Sequence, residues 1–156
     1  MNKLDIYTPT DLDTPDLLKR PLGEYGYRFL AEGDSWFTIG TLNPFSNANL
    51  LFGMRFTQLA CALNCAKPGD TLSHMAEMNR DKQFADLMFG RRSREWDGVL
   101  LSCGGNDLID ALGAKGPGVA LKLRLLRERA EWGDVTQGAA RYLSDEGWQT
   151  FSGYVK

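Results

Sequence analysis

The chain has 156 residues, which is enough for one domain with its own core and too few for two. Its hydrophobic fraction of 43% and charged fraction of 24% are typical of a globular domain and exclude a disordered, collagen-like or coiled-coil chain. The net charge of -2 and the absence of a basic face argue against nucleic acid as a partner, and no segment approaches the roughly 20 apolar residues that span a bilayer.

The first residues and the cysteines predict the compartment. Residues 1–6 are followed by a stretch rich in aspartate, and they lack the apolar core of a secretory signal. Cys61, Cys65 and Cys103 are an odd number in a chain without an export signal, which is typical of reduced thiols in the cytoplasm. We expect no metal site at Cys61 and Cys65, because the chain has one histidine and no second cysteine pair to complete a tetrahedral set.

The chain begins with a polar segment that precedes the first strand. Residues 1–24 are rich in turn formers, and we expect an N-terminal arm packed on the surface, followed by a single domain over residues 25–156. Residues 25–32 are aromatic and aliphatic between glycines, which predicts a strand. The strand leads into Gly33-Asp34-Ser35-Trp36 and a long loop. The aromatic residues of this region either line an apolar acyl pocket or pack structurally; they are Trp36, Phe37 and Phe45.

Two further elements are predicted before residue 70. Apolar residues recur at helical spacing over residues 50–63, which predicts a core-facing helix capped by Asn47 or Asn49. A short second strand is expected at residues 63–66. Pro68-Gly69-Asp70 follows this strand and ends it.

A second helix is predicted to begin with a cap at Thr71 or Ser73 and to run to about residue 89, where Gly90 is expected to end it in the left-handed conformation. Residues 97–103 form a continuous apolar run, typical of a parallel strand covered on both faces. This strand leads into Gly104-Gly105-Asn106-Asp107. Two weaker helices are predicted over residues 119–132 and 136–143, and Ser144 is expected to cap a last helix.

The order of these elements predicts the fold class. Strands and helices alternate, which is typical of an α/β domain with a parallel sheet, right-handed crossovers and helices on both faces. Ligands of such sheets bind at the carboxyl ends of the strands. Ser35, Gly69 and Asn106 all follow predicted strands, and they are therefore the candidate site residues.

These motifs resemble those of the SGNH hydrolases, also called the GDSL esterase and lipase family. Gly33-Asp34-Ser35, Gly69 and Gly104-Gly105-Asn106-Asp107 stand in the family's order, and the resemblance covers roughly residues 25–110. It implies a flavodoxin-like three-layer α/β/α sandwich and a small-molecule acyl ester as substrate. Ser35 is then the nucleophile, Gly69 and Asn106 are oxyanion donors together with the Ser35 amide, and no metal or organic cofactor is implied. The neighbouring residues Asp34, Trp36 and Gly105 are candidates for the substrate pocket.

The chemistry of acyl transfer requires such residue types. A tetrahedral oxyanion is stabilised by donors already aimed at it, and losing one donor typically costs about 2.7–4 kcal/mol. Each residue also has a structural interpretation: Gly33-Asp34-Ser35 is an ordinary turn sequence, Gly69 follows proline as in a Pro-Gly turn, and Asn106 or Asp107 can cap a helix. We expect Asp107 to be that cap and Asp34 to hold its loop through backbone amides.

The base that serine needs is missing from the motifs. In the family it belongs to an Asp-x-x-His block near the C-terminus, which this chain lacks. The single histidine, His74, is expected at the surface or beside a helix cap. We therefore expect that the domain is incomplete at its C-terminus and that a longer chain or a second chain supplies Asp and His. An apolar strand at residues 99–101, left at an open sheet edge, is a second reason to expect further strands.

Two other functions are compatible with the sequence. One is a non-catalytic module on the same fold that binds an acylated or sugar ligand, and the missing histidine favours it. The other is a phosphate- or nucleotide-binding domain, which is disfavoured because no glycine-rich phosphate loop follows any strand.

Overall fold

The computed structural model describes residues 1–38, 49–77, 81–114, 119–120, 123–132 and 141–153. The strands are β1 (Asn2–Tyr7), β2 (Tyr27–Gly33), β3 (Arg55–Phe56), β4 (Ala60–Asn64) and β5 (Gly98–Ser102). The helices are α1 (Ser35–Thr38), α2 (Leu50–Gly53), α3 (Leu72–Ala76), α4 (Lys82–Phe89), α5 (Gly105–Gly113) and α6 (Asp145–Gly153). The fold is mixed α/β with a mostly parallel sheet, which confirms the predicted class.

The sheet has five strands in the order β3-β1-β4-β2-β5. β1, β4, β2 and β5 are parallel, and β3 pairs antiparallel with β1. From β2 the chain crosses to one side to form β4 and then to the other side of β2 to form β5. The strand order therefore reverses beside β2, and its carboxyl end meets the loop that follows β5.

The sheet is covered on both faces near its centre. On one face Leu30 and Leu63 pack with Phe84 and Leu87 of α4. On the other face Ala31 of β2 packs with residues of α1, α2 and β4, which are Phe37, Leu51, Ala60 and Ala62. Burial on both faces explains why β2 and β4 contain continuous apolar runs.

The predicted N-terminal arm is wrong for Asn2–Tyr7, which form a strand between β3 and β4. Leu4 and Tyr7 are buried in the core. The polar residues Asn2, Lys3 and Asp5 concealed the strand. Asp5 is paired within the fold, because it accepts a hydrogen bond from the Tyr25 hydroxyl at 2.9 Å and contacts Lys19. Short 3-10 helices and loops follow up to β2.

The predicted helix over residues 50–63 is also wrong beyond its first turn. Asn49 caps α2 as predicted, since its Oδ1 accepts from Leu51 N at 2.8 Å, but α2 ends at Gly53. The following residues form β3 and β4. The strand predicted at residues 63–66 therefore corresponds to β4, which begins at Ala60 and ends at Asn64. Ala60, Cys61 and Ala62 are small residues without a strong strand preference, and it is burial between two layers that places them in the sheet.

The predicted helix after Thr71 is divided into α3 and α4. Thr71 caps α3, because its Oγ1 accepts from His74 N at 3.3 Å, and Asp81 caps α4 by accepting from Phe84 N at 2.9 Å. Gly90 has φ -92°, so the predicted left-handed terminator is wrong.

The predicted helix over residues 119–132 is wrong for the described residues there, which include a 3-10 turn at Arg129–Glu131 and a bridge between Leu126 and Leu143. The helix predicted over residues 136–143 lies mostly outside the described residues. Ser144 caps α6 as predicted, since its Oγ accepts from Gly147 N at 3.0 Å.

β5 is an edge strand of the sheet in the described part of the chain, which is the position expected for the apolar strand at residues 99–101. Leu101 on this strand is 62% exposed, so β5 is not covered on both faces. Among the described residues, no helix is long and apolar enough to cross a membrane.

Candidate functional site

The loops that carry the predicted site residues leave the sheet at one edge. β2, β4 and β5 are parallel neighbours, and Ser35, Gly69 and Asn106 follow their carboxyl ends. Backbone hydrogen bonds join these ends: Asp34 N donates to Ser102 O at 3.0 Å, and Lys67 N donates to Gly33 O at 2.8 Å. The three predicted residues therefore belong to one connected edge of the sheet.

Asp34 fixes the loop that carries Ser35. Its side chain is 1% exposed, and its Oδ1 accepts hydrogen bonds from Trp36 N at 3.1 Å and from Ser102 Oγ at 2.8 Å. This confirms that Asp34 holds the loop, and its burial favours that role over a place in an open substrate pocket. Ser35 is the first residue of α1 and is half-buried.

The predicted pocket residues Trp36 and Gly105 meet where the loops after β2 and β5 approach each other. A Cβ at position 105 would lie 3.3 Å from both Asp34 Oδ2 and Trp36 Nε1. The Trp36 ring is half exposed and borders an open pocket with Leu101 and Cys103. Phe37 packs in the core, so for this residue the structural interpretation applies and not a place in an acyl pocket. Phe45 lies outside the described residues.

Gly69 lies in a turn at the exposed end of the loop after β4. Asp70 N donates to Lys67 O at 3.3 Å, with Pro68 and Gly69 between them, and Gly69 has φ +79°. The Pro-Gly turn, which was the structural interpretation of Gly69 from the sequence, is therefore present. Apart from the adjoining residues, no described residue has a heavy atom within 4 Å of the place that a Cβ on Gly69 would occupy, so there is open space beside the turn.

Asn106 connects its own loop to that of Gly69. The residue lies in the first turn of α5 and is half-buried, and its Nδ2 donates to the backbone carbonyl of Asp70 at 2.7 Å. An asparagine amide has two N–H groups, so this bond uses one of them.

Asp107 does not cap α5, and that prediction is wrong. The helix is preceded by Gly104 without a side-chain cap, and Asp107 Oδ2 accepts a hydrogen bond from Leu72 N at 2.6 Å. Asp107 therefore serves the start of α3. A side chain directed to another element cannot be distinguished from a local cap by sequence spacing alone.

His74 has a carboxylate partner that the sequence did not reveal. Its ring is 32% exposed, and Nδ1 contacts Oδ1 of the buried Asp70. Asp70 also accepts from Thr71 N at 2.9 Å. No hydrogen bond joins His74 to Ser35 in the described part of the chain. The histidine is thus held beside the Gly69 loop by a buried carboxylate.

Three buried carboxylates lie beneath this loop. Glu32, Asp70 and Asp81 bring carboxylate oxygens to within 4.8 Å of one another, and Lys67 Nζ contacts Asp81 Oδ2. The sequence alone does not reveal this group, because its members come from three separate segments. One signal was available: Glu32 is an acidic residue directly after the apolar run Phe29-Leu30-Ala31.

The electrostatics of this group are unusual. Burial raises the pKa of Glu32 to about 7, and the charges of Asp81 and Asp70 act in the same direction, whereas the hydrogen bond from Gly33 N and the charge of Lys67 act against it. For Asp81, burial alone would raise the pKa, but hydrogen bonds from Lys67 and Phe84 N outweigh it and lower the pKa.

An apolar cavity of about 450 Å³ opens beside Glu32, between α3, α4 and the edge strand β5. Its lining is aliphatic and aromatic apart from Glu32 and Cys103, and it includes Leu72, Phe84 and Leu101. The sequence analysis did not predict it. The cavity adjoins the loop edge that carries the predicted site residues.

Comparison with protein-family models, with curated proteins and with solved structures gave no match for this chain.

Proposed function

We propose that this chain is a serine ester hydrolase of the SGNH type on a flavodoxin-like α/β/α sandwich, with Ser35 as its nucleophile. The observation that carries the proposal is the meeting of three strand-end loops, joined by the 2.7 Å hydrogen bond from Asn106 Nδ2 to Asp70 O. This bond holds Asn106 beside the turn of Gly69. Both proposed oxyanion donors are thereby linked to each other before a substrate arrives.

The strand order supports the same proposal. β4 and β5 follow β2 in the chain but lie on opposite sides of it, so the strand order reverses between β2 and β5. Ligands of open parallel sheets bind outside the carboxyl ends of the strands at such a reversal. Ser35 follows β2 and Asn106 follows β5, which are the two strands on either side of this reversal.

The proposed oxyanion site uses the groups that remain available. One N–H of the Asn106 amide is bonded to Asp70 O, and the second can donate to the substrate oxygen. The described part of the chain leaves open space at the Cβ position of Gly69, and we propose that an acyl group enters there to reach the Gly69 amide. Donors that are already oriented stabilise the developing negative charge without reorganisation.

In the proposed reaction, Ser35 Oγ bonds to the acyl carbon, its proton passes to a base, and the carbonyl oxygen becomes the oxyanion. The carbon–oxygen bond to the alcohol then breaks, and the base returns the proton to the leaving alcohol. Water repeats these steps on the acyl-serine to release the acid.

The base has two candidate sources. His74 is the histidine of this chain, and the Asp70 carboxylate beside Nδ1 favours the tautomer in which Nε2 can accept a proton. The resemblance to the family instead implies an Asp-x-x-His segment from a longer chain or a second chain. Exchange of His74 for glutamine separates the two, because it abolishes activity only in the first case.

Hydrolysis of p-nitrophenyl acetate tests the proposal. Ser35→Ala is expected to reduce the rate to background, and Asn106→Ala to lower kcat by about 10²–10³-fold through loss of one oxyanion donor. Ser93→Ala, in an exposed loop away from the strand ends, is the matched control and is expected to retain the rate.

Added imidazole makes the assay independent of the source of the base. If the base comes from another segment, the wild-type chain is slow, and imidazole is expected to accelerate it beyond the imidazole background measured with Ser35→Ala. Equal rates for the wild-type chain and Ser35→Ala, with and without imidazole, would contradict a nucleophilic Ser35.

A non-catalytic module that binds an acylated or sugar ligand is the second candidate. The observation that favours it is that no hydrogen bond joins Ser35 to His74 in the described part of the chain. Binding of an acylated sugar by the wild-type chain and by Ser35→Ala with equal affinity, without turnover in either imidazole condition, is the result that this function predicts.

A further inference from the structure

Three acidic side chains from different segments converge below the proposed site. Glu32 comes from β2, Asp70 from the loop after β4 and Asp81 from the residue before α4. Their residues are 3%, 7% and 2% exposed, and their carboxylate oxygens lie within 4.8 Å of one another. Acidic residues are almost never buried to this extent unless a partner compensates their charge.

The described residues provide partners for both oxygens of Asp81 but for only one oxygen each of Glu32 and Asp70. Glu32 Oε1 accepts from Gly33 N at 2.9 Å, Asp70 Oδ1 accepts from Thr71 N at 2.9 Å, and Asp81 Oδ1 accepts from Phe84 N at 2.9 Å. Glu32 Oε2 and Asp70 Oδ2 are fully buried and have no hydrogen-bond partner among the residues that the structure describes. Each carboxylate is thus oriented by a backbone N–H, and two of the three keep an unused oxygen.

The charges of the described residues in this cluster do not balance. Among the described residues, Lys67 is the one ammonium group that contacts the cluster; it contacts Asp81 only, and its side chain is partly exposed. His74 contacts Asp70 but carries a charge only when it is protonated. Unused buried oxygens and excess negative charge both point to a positive ligand.

We propose that Glu32, Asp70 and Asp81 bind one divalent cation of the oxygen-preferring class, which includes Mg²⁺, Mn²⁺ and Ca²⁺. Carboxylate oxygens are the ligands that these cations prefer, whereas zinc sites use cysteine and histidine. Lys67 Nζ competes with the cation for Asp81 Oδ2. The cavity that borders Glu32 provides a route from solvent.

The cation has a structural effect in this position. It links β2, the loop after β4 and the start of α4, and it lies near two residues of the proposed site, since Glu32 is three residues before Ser35 and Asp70 follows Gly69. It takes no part in the proposed ester chemistry. The cation site therefore stands whether or not the chain hydrolyses esters.

Titration with Mn²⁺ near neutral pH tests this proposal, with bound Mn²⁺ measured by the loss of the free-ion electron paramagnetic resonance signal. One Mn²⁺ per chain is expected, displaced by excess Mg²⁺ or Ca²⁺, together with a higher melting temperature. Glu32→Gln keeps an acceptor for Gly33 N but loses the charge, and it is expected to weaken binding by about ten-fold or more. Glu95→Gln, the same exchange at an exposed site, is the matched control and is expected to bind as the wild-type chain does.

Lys67→Met separates a cation site from a merely acidic cluster. Removal of the competing ammonium is expected to tighten Mn²⁺ binding and to make the melting temperature depend more strongly on Mn²⁺. If Glu32→Gln does not fold, Asp81→Asn replaces it, because asparagine retains the acceptor for Phe84 N. Absence of Mn²⁺ binding at millimolar concentration, or equal binding by the wild-type chain and the charge-removing variant, would overturn the proposal.

Discussion

The carboxylate of Asp34 determines the position of the proposed nucleophile. Because the side chain is buried and accepts from both Trp36 N and Ser102 Oγ, it ties the turn that begins at Ser35 to the end of β5. The short motif Gly-Asp-Ser therefore has two separate tasks. The aspartate holds the loop, and the serine remains half-exposed at its surface.

Exchange of Asp34 for alanine tests the structural task. The change leaves two donors without an acceptor, and each buried donor left unpaired is expected to cost about 1–3 kcal/mol of the free energy of unfolding. Urea denaturation measures the loss. Asp16→Ala, an exposed acidic residue outside the strands, serves as the control and is expected to change little. Equal stabilities for the two variants would show that Asp34 does not hold the loop.

At the scale of elements, β2 and β5 were predictable and β1 and β4 were less so. β2 and β5 are apolar runs that end at glycine- and asparagine-containing loops, and these signals are local. β4 begins with Ala60, Cys61 and Ala62, which also satisfy the helical spacing of Phe56, Leu59 and Leu63. Only the packing of layers on both faces of β4 selects the strand.

β1 depends on a polar contact that stabilises it against the segment before β2. The Asp5 carboxylate contacts Lys19 and accepts from the Tyr25 hydroxyl, which also lies 2.6 Å from the Tyr7 hydroxyl. Burial alone would raise the pKa of Asp5, but the hydrogen bonds from Lys19 and Tyr25 outweigh it and lower the pKa below 3.8. The ionised form is therefore favoured in the folded chain.

This shift predicts how stability depends on pH. Because the folded-state pKa is lowered, the contribution of Asp5 is present above its unfolded value near 3.8 and is lost as the pH falls below that value. Asp5→Asn is expected to lower the urea midpoint at about pH 6, with the difference from wild type shrinking toward about pH 2. A difference that stays constant over this range would contradict a role for the ionised carboxylate.

At the scale of the whole molecule, the sequence predicts which edge of the sheet carries the candidate residues. It does not predict the buried carboxylates beneath that edge. Ser35, Gly69 and Asn106 could be selected because each follows a strand and parallel strands share one carboxyl edge. Glu32, Asp70 and Asp81 meet only in the folded chain, since they are supplied by a strand, a loop and a helix cap. The pairing of His74 with Asp70 required the same information.

The proposed function and the proposed cation site concern adjacent parts of this edge and can fail independently. The Mn²⁺ titration reports on the carboxylates and is insensitive to ester chemistry. Loss of Ser35 is expected to leave Mn²⁺ binding unchanged, because the proposed ligands are Glu32, Asp70 and Asp81.

The most direct test of the central claim is the intact mass of the chain after exposure to a fluorophosphonate probe, with imidazole present so that the source of the base does not limit labelling. We predict one adduct per chain on the wild-type protein and on Ser93→Ala, and none on Ser35→Ala. An adduct that persists on Ser35→Ala, or no adduct on the wild-type protein, would contradict the assignment of Ser35 as a nucleophile.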